Sequence, residues 1–293
     1  MQLRIAAMQA DDQLKALFYA PFGYGKTALT RALANEMFKE NLIDHYIETI
    51  GLNFATKKDV DDFIRRLKPY TFVFIDEIHT LVSGPREAFY TAIQDNFHVL
   101  QKRQGTVRLP VGISWVGATT QLGQVHPSLQ RRLIPIQLQP LSKHELAFIV
   151  LHQKYPVEAP AAALMADRCS TPWEIKDELY ATAEDLVVTK AFSTITEPVV
   201  VEACDILGID EHGLRPRERR VLDALFDSPR TVKSWSWKSY ALAQTPLIAI
   251  SGIDKETYTN YVEPKLLQLG FIKVSTFGRE LTTKALNTYY GGI

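Results

Sequence analysis

The sequence predicts an α/β protein in three parts. A parallel sheet with crossover helices spans 1–140, a helical segment 141–208, and a set of helices ending in a β-hairpin 209–293. Three observations carry this. A strand at Lys15–Tyr19 feeds a glycine-bearing loop, Ala20-Pro21-Phe22-Gly23-Tyr24-Gly25-Lys26-Thr27, that opens a helix over Thr27–Phe38. About fifty residues on, the aliphatic run Phe72-Val73-Phe74-Ile75 ends in Asp76-Glu77. Near the end, Gly270-Phe271-Ile272-Lys273-Val274, a turn at Phe277-Gly278 and Glu280-Leu281-Thr282-Thr283 form a hairpin after helices.

The first part alternates strand-like and helix-like patterns, as a parallel sheet requires. Its strands are expected at Leu14–Tyr19, Asp44–Ile50, Phe72–Ile75, Ile113–Ala118 and Ile134–Leu138, with helices at Thr27–Phe38, Lys57–Leu67 and Arg86–Asp95. Pro140 closes the block. Ser142 with Glu145 three residues on then reads as a capping box. Helices follow at Lys143–Gln153, Ala159–Arg168, Pro172–Leu186 and Glu197–Leu207. Gly208–Arg215 reads as a hinge, and Pro216–Phe226 as the first helix of the last part. Helices followed by a hairpin wing make the winged-helix form of the helix-turn-helix class.

At 293 residues the chain suits two or three domains. No apolar run approaches the roughly 18–20 residues that a membrane span needs, and the N-terminus lacks a signal-peptide pattern. Two cysteines, Cys169 and Cys204, make no disulfide framework and read as reduced thiols of a cytoplasmic protein. Zero net charge argues against bulk attraction to nucleic acid. From Glu211 to Ile293, however, twelve Lys/Arg stand against eight Asp/Glu, an excess that fits either a DNA-facing module or a solvated surface.

The loop and the acidic pair together point to nucleoside triphosphate chemistry. Backbone N–H groups of a glycine-bearing loop can wrap phosphate oxygens, and the helix start after it favours negative charge. Pro21, Phe22, Gly23, Tyr24, Gly25, Lys26, Thr27 and Ala28 would line that cradle. Lys26 would reach the β- and γ-phosphates, Thr27 and Asp76 would hold Mg²⁺, and Glu77 could polarise the attacking water. Alanine at position 20, where such loops usually carry glycine, costs about 1–2 kcal/mol if φ is positive and almost nothing otherwise. The strand end Val116-Gly117-Ala118-Thr119-Thr120 could place a hydroxyl near the same phosphate, or its threonines could cap the next turn. Arg131-Arg132 reads as a solvated surface pair, or as an arginine reaching a neighbouring subunit's nucleotide. No Cys/His set has zinc spacing, so His79 reads as structural. Trp235 and Trp237 read as packing residues.

These residues, in this order, resemble the AAA+ ATPases, and more narrowly the RuvB family of Holliday-junction branch-migration motors. Phe74-Ile75-Asp76-Glu77-Ile78-His79 looks like that family's Walker B box, and Val116–Thr120 like its sensor 1, with Thr120 at the sensing position. Leu129-Gln130-Arg131-Arg132-Leu133 is similar to its arginine-finger segment, with Arg132 on the finger. Asp210–Leu214 and Val262-Glu263-Pro264 with Gly270-Phe271 resemble its winged-helix domain. The resemblance implies a P-loop ATPase domain (1–140), a helical lid (141–208) and a DNA-binding winged helix (209–293). It further implies ATP and Mg²⁺ as ligands and a homo-oligomeric ring, a hexamer, acting on duplex or branched DNA. Lys273, Arg279 and Lys284 are the expected phosphate contacts.

The chain also departs from the family pattern. Met1 falls at the family's first helix, so the resemblance implies an adenine wall that is missing or built differently. Ser170-Thr171-Pro172-Trp173 stands where the lid presents a sensor 2 arginine, and Lys176, one turn on, is the candidate substitute. The hairpin between Phe97 and Val111, which docks the RuvA partner in the family, is shorter and more basic (Lys102, Arg103, Arg108). At the wing tip, Phe277-Gly278-Arg279 keeps one of two arginines. Two rival readings follow: a slow-hydrolysing scaffold on DNA or a partner protein, as in mobile-element or defence systems, and a clamp-loader-like remodelling ATPase.

Overall fold

The computed structural model describes residues 13–100, 105–228, 230–231 and 238–291. Met1, Lys102, Arg103, Trp235 and Trp237 lie outside them. The chain divides into two compact units. One holds the residues through Ala20 together with Gly25–Gln139, the other Pro21–Tyr24 together with Pro140–Ile293.

The first unit is built on β1 (Lys15–Tyr19), α1 (Lys26–Lys39), β2 (His45–Ile50), α2 (Lys57–Ile64), β3 (Thr71–Asp76) and α3 (Ser83–Asp95). A short hairpin, β4 (Phe97–Val99) and β5 (Thr106–Arg108), precedes β6 (Ser114–Thr119), α4 (Pro127–Gln130) and β7 (Ile134–Gln137). Five strands pair in parallel in the order β2-β3-β6-β1-β7. Both faces of the sheet are covered, which is why its strands read as continuous apolar runs. Val73, Ile75 and Trp115 pack to one side with Phe89 and Ile93. Phe72, Phe74 and Val116 pack to the other with Leu33 and Met37 of α1.

The expected strands stand with ends shifted by about a residue; β3 runs on through Asp76, so Glu77 is the first residue beyond it. Helix α3 starts at Ser83 rather than Arg86 because Pro85 falls in its first turn, where no intrahelical N–H is required. Helix α2 stops at Ile64, and Arg65–Leu67 continue as a turn.

The second unit contains α5 (Lys143–Leu151), α6 (Ala159–Arg168), a π-helical turn at Glu174–Tyr180 running into α7 (Ala181–Thr189), and α8 (Glu197–Leu207). Ser142 and Glu145 form the expected capping box. Leu146, Met165, Ile175, Leu179, Val187 and Val200 make one core. Then come α9 (Pro216–Phe226), the paired β8 (Arg230–Thr231) and β9 (Lys238–Ser239), β10 (Ala241–Leu242) and α10 (Gln244–Ser251). Helices α11 (Lys255–Thr257) and α12 (Glu263–Gln268) flank a second π turn at Tyr258–Val262. The hairpin β11 (Ile272–Ser275) and β12 (Gly278–Leu281) and helix α13 (Thr283–Tyr289) end the chain. β12 is the central strand of a three-stranded sheet, paired with β11 and β10. Leu222, Leu225, Leu247, Tyr258, Leu266 and Phe271 form the core beneath it.

The segment expected as a hinge is a tightly bonded connector. Gly208 caps α8 in the left-handed conformation (φ 65°), and Asp210 Oδ1 accepts from the backbone of His212 and Leu214. Arg168 Nη1 donates to Asp210 O at 2.8 Å, and Arg215 Nη1 to Glu178 at 2.8 Å. Leu214 is fully buried. Polar groups satisfied in this way hold a segment in one conformation.

Candidate functional site

The C-terminal ends of three adjacent strands, β3, β6 and β1, deliver the chemistry of the first unit. Beyond β1 the backbone turns at Ala20, whose N–H reaches Thr119 O at 3.4 Å. Ala20 is not among the positive-φ residues, so alanine there carries no left-handed penalty; Gly23 (φ 82°) and Gly25 (φ 79°) take that conformation instead. Gly25 precedes α1, whose start has no side-chain cap. The first N–H groups of the helix thus remain available to an anion, with Ala28 exposed in that turn.

Lys26 is buried (8% exposed) and donates from Nζ to Ala20 O at 3.0 Å. Burial lowers its pKa, and the Glu77 and Asp76 carboxylates only partly offset that. Thr27 Oγ1 donates to Asp76 Oδ2 at 2.9 Å, a hydroxyl and a carboxylate side by side. Such hard oxygen donors suit Mg²⁺. Asp76 Oδ1 accepts the Glu77 N–H at 2.9 Å.

Glu77 sits at φ 44°, a left-handed conformation worth about 1–3 kcal/mol of strain in a non-glycine residue. Its carbonyl accepts from Thr80 N (2.9 Å) and Thr80 Oγ1 (2.8 Å). Its Oε2 accepts from Thr120 N and Thr120 Oγ1, each at 3.2 Å, and lies 3.1 Å from His79 Nδ1. Burial raises the Glu77 pKa, but the His79 and Thr120 hydrogen bonds more than reverse it, and the net value is lowered. Thr119 is fully buried and its Oγ1 accepts from Gln121 N at 2.9 Å. Of the paired threonines, then, Thr119 caps the turn and Thr120 meets Glu77.

The structure therefore brings Lys26, Thr27, Asp76, Glu77 and Thr120 together. Arg132 has other partners: Nη1 donates to Ser128 O at 2.8 Å and the guanidinium lies 5.1 Å from the Tyr90 ring centroid. Its buried Nε has no partner among the described residues.

Pro21–Tyr24 cluster with the second unit. Phe22 meets Trp173 edge-on at 5.3 Å and Tyr261 at 4.8 Å; Trp173 N donates to Gly23 O at 3.2 Å, and Tyr24 OH to Gln268 Oε1 at 2.9 Å. A Cβ on Gly23 would come within 2.9 Å of Thr171 Oγ1. Trp173 is thus an aromatic clasp on the loop tip, an arrangement that sequence reasoning missed. Next to it, Glu174 pairs with Lys265 at 2.7 Å, both buried. Lys176 is exposed on the same helix.

On the winged helix, Arg279 is tied to Glu263, Lys273 is exposed and 3.5 Å from Glu280, and Lys284 donates to Leu269 O at 2.7 Å. Phe277 at the hairpin tip is exposed. Among the described residues no helix is long and apolar enough to cross a membrane.

The family model of the Holliday junction DNA helicase RuvB P-loop domain matches residues 1–138, and that of the RuvB C-terminal winged helix domain matches 211–290. The Holliday junction branch migration complex subunit RuvB of a Synechococcus strain is 31% identical over 277 residues, which cover 91% of this chain and 76% of that protein. The same subunit from Leuconostoc mesenteroides is 28% identical over 297 residues, covering 98% and 81%. The solved Thermotoga maritima RuvB Holliday junction branch migration motor superposes with a TM-score of 0.77 at 27% identity, covering 97% of this chain and 90% of that one. With a nucleotide-binding P-loop domain at one end and a winged helix at the other, the chain belongs to the RuvB family.

Proposed function

We propose that the chain is one subunit of an ATP-driven DNA motor that assembles as a ring, a hexamer, and moves duplex or branched DNA in recombination and repair. The observation that carries this is the Thr27–Asp76 contact with Glu77 beside it, pinned by Thr120. When bound, Mg²⁺ would supply charge neutralisation between the β- and γ-phosphates, with Thr27 and Asp76 holding it. Lys26 and the N–H groups of Gly23–Ala28 bind phosphate, Glu77 orients and polarises water, and Thr120 senses the γ-phosphate. Arg132 serves the neighbouring subunit's nucleotide. Residues 1–140 are the ATPase domain, 141–208 the lid and 209–293 the DNA-binding domain, with Lys273, Lys284 and Arg279 as its cations. The β4–β5 hairpin, with Val99 exposed, is the surface for an accessory protein.

A second reading, a slow-hydrolysing scaffold, draws on one observation. Trp173 clasps the loop tip, and an indole offers a phosphate no charged donor. Steady-state ATP turnover with and without four-way DNA separates the two. Strong stimulation by DNA is the motor's result; DNA binding with turnover that stays low is the scaffold's, and would overturn the motor.

A further inference from the structure

We propose that His79 is a positioning residue for ATP hydrolysis: its Nδ1 holds Oε2 of Glu77 against the end of β6, so that the second carboxylate oxygen is presented to water. The inference rests on the reading of Glu77 as the base of an ATPase.

Two Thr120 donors and the His79 imidazole meet at one oxygen. His79 Nδ1 lies 3.1 Å from Glu77 Oε2, and Thr120 contributes its N–H and its hydroxyl at 3.2 Å each. Glu77 Oε1 has no hydrogen bond among the described residues. A carboxylate held by one oxygen cannot spin about its terminal bond, so the other oxygen keeps a fixed direction. A base must stand within hydrogen-bond reach of the proton it takes, and fixing that geometry in advance lowers the barrier.

The imidazole is itself fixed. Its Nδ1 also lies 3.0 Å from Thr119 Oγ1, a fully buried hydroxyl that accepts from Gln121 N. His79 is 11% exposed and sits in the 3₁₀ turn Ile78–Thr80, whose Thr80 bonds back to the Glu77 carbonyl. His79 therefore ties the turn after β3 to the end of β6, and Glu77 is the side chain caught between them. The strained φ of Glu77 fits the same account, because strain of this kind persists only where neighbours over-determine it.

The test uses the full-length chain with saturating four-way DNA and reads kcat, the KM for ATP, the Kd of a fluorescent ATP analogue and Tm. His79→Ala should lower kcat roughly ten- to hundredfold, with Kd held within about twofold, because misplacing a catalytic group costs rate rather than binding. His79→Asn can set an amide nitrogen near the place of Nδ1 and should recover most of the rate. His79→Gln sets its nitrogen nearer the place of Nε2 and should not. Unchanged kcat in His79→Ala, or equal recovery by Asn and Gln, overturns the positioning role. So does a loss of rate that follows Tm across the three variants. Wild-type chain that turns over no ATP overturns the ATPase reading and the proposal with it, an outcome visible before any variant is compared.

Discussion

Glu174 shows how one buried charge is made tolerable and what that implies. Burial raises its pKa, and the Lys265 ammonium with the Ser170 N–H more than reverses this, leaving the carboxyl below its usual range. A depressed folded pKa contributes stability that is present above the unfolded value of about 4.3 and is lost as pH falls through the folded value. Lys265→Met strands the carboxylate and should destabilise the second unit by about 3–5 kcal/mol at neutral pH. The loss should shrink toward acid, where Glu174 is neutral in either protein. Replacing both partners, Glu174→Leu with Lys265→Met, should return most of the stability, since an apolar pair of similar volume is often neutral. Urea unfolding of the three proteins between pH 3 and 7 checks this. A Lys265→Met penalty that stays constant across the range would contradict it.

At the scale of elements, the hairpin β11–β12 divides its cations by partner. Arg279 is locked to Glu263 of α12, whereas Lys273 is exposed and lies 3.5 Å from Glu280. DNA binding by the wing should therefore draw on Lys273 more than on Arg279. Lys273→Ala should lower the slope of log K against log salt by about one unit, and Arg279→Gln by much less. Fluorescence anisotropy with a labelled duplex at several salt concentrations reads both slopes, and equal slopes would refute the division. These elements also show what the sequence makes legible. β1, β3 and β6 announce themselves because a parallel strand buried on both faces is an unbroken apolar run, and the acidic pair after Ile75 marks where β3 ends. β10 is invisible: two residues, Ala241 and Leu242, are a strand only because β12 lies beside them. The clasp of Trp173 on Phe22 joins positions 151 apart, and His79 meets Thr119 only because β6 lies next to β3 in the sheet. Chain pattern reports periodicity and turn chemistry; it does not report which loop ends become neighbours.

For the whole molecule, the position of Arg132 makes a claim about assembly. Within the chain it is held by Ser128 O and the Tyr90 ring, and it is not bonded to Lys26, Thr27, Asp76 or Glu77. If it serves a neighbour's nucleotide, each active site needs two chains: one supplying Lys26, the other Arg132. Such a head-to-tail interface closes into a ring when its rotation permits. Lys26→Ala and Arg132→Ala should each abolish turnover alone, because an arginine acting in trans is worth about 10³–10⁵ in rate. Mixed in equal amounts, they should recover turnover. Some interfaces then pair an intact Lys26 on one chain with an intact Arg132 on the next, about a quarter of all interfaces in a random ring. An arginine acting on its own chain's nucleotide would give no recovery at any ratio, since no single chain in the mixture holds both residues. Steady-state turnover across mixing ratios, at protein concentrations that favour assembly, decides between the two. The recovered rate should peak near equal proportions and vanish at either end.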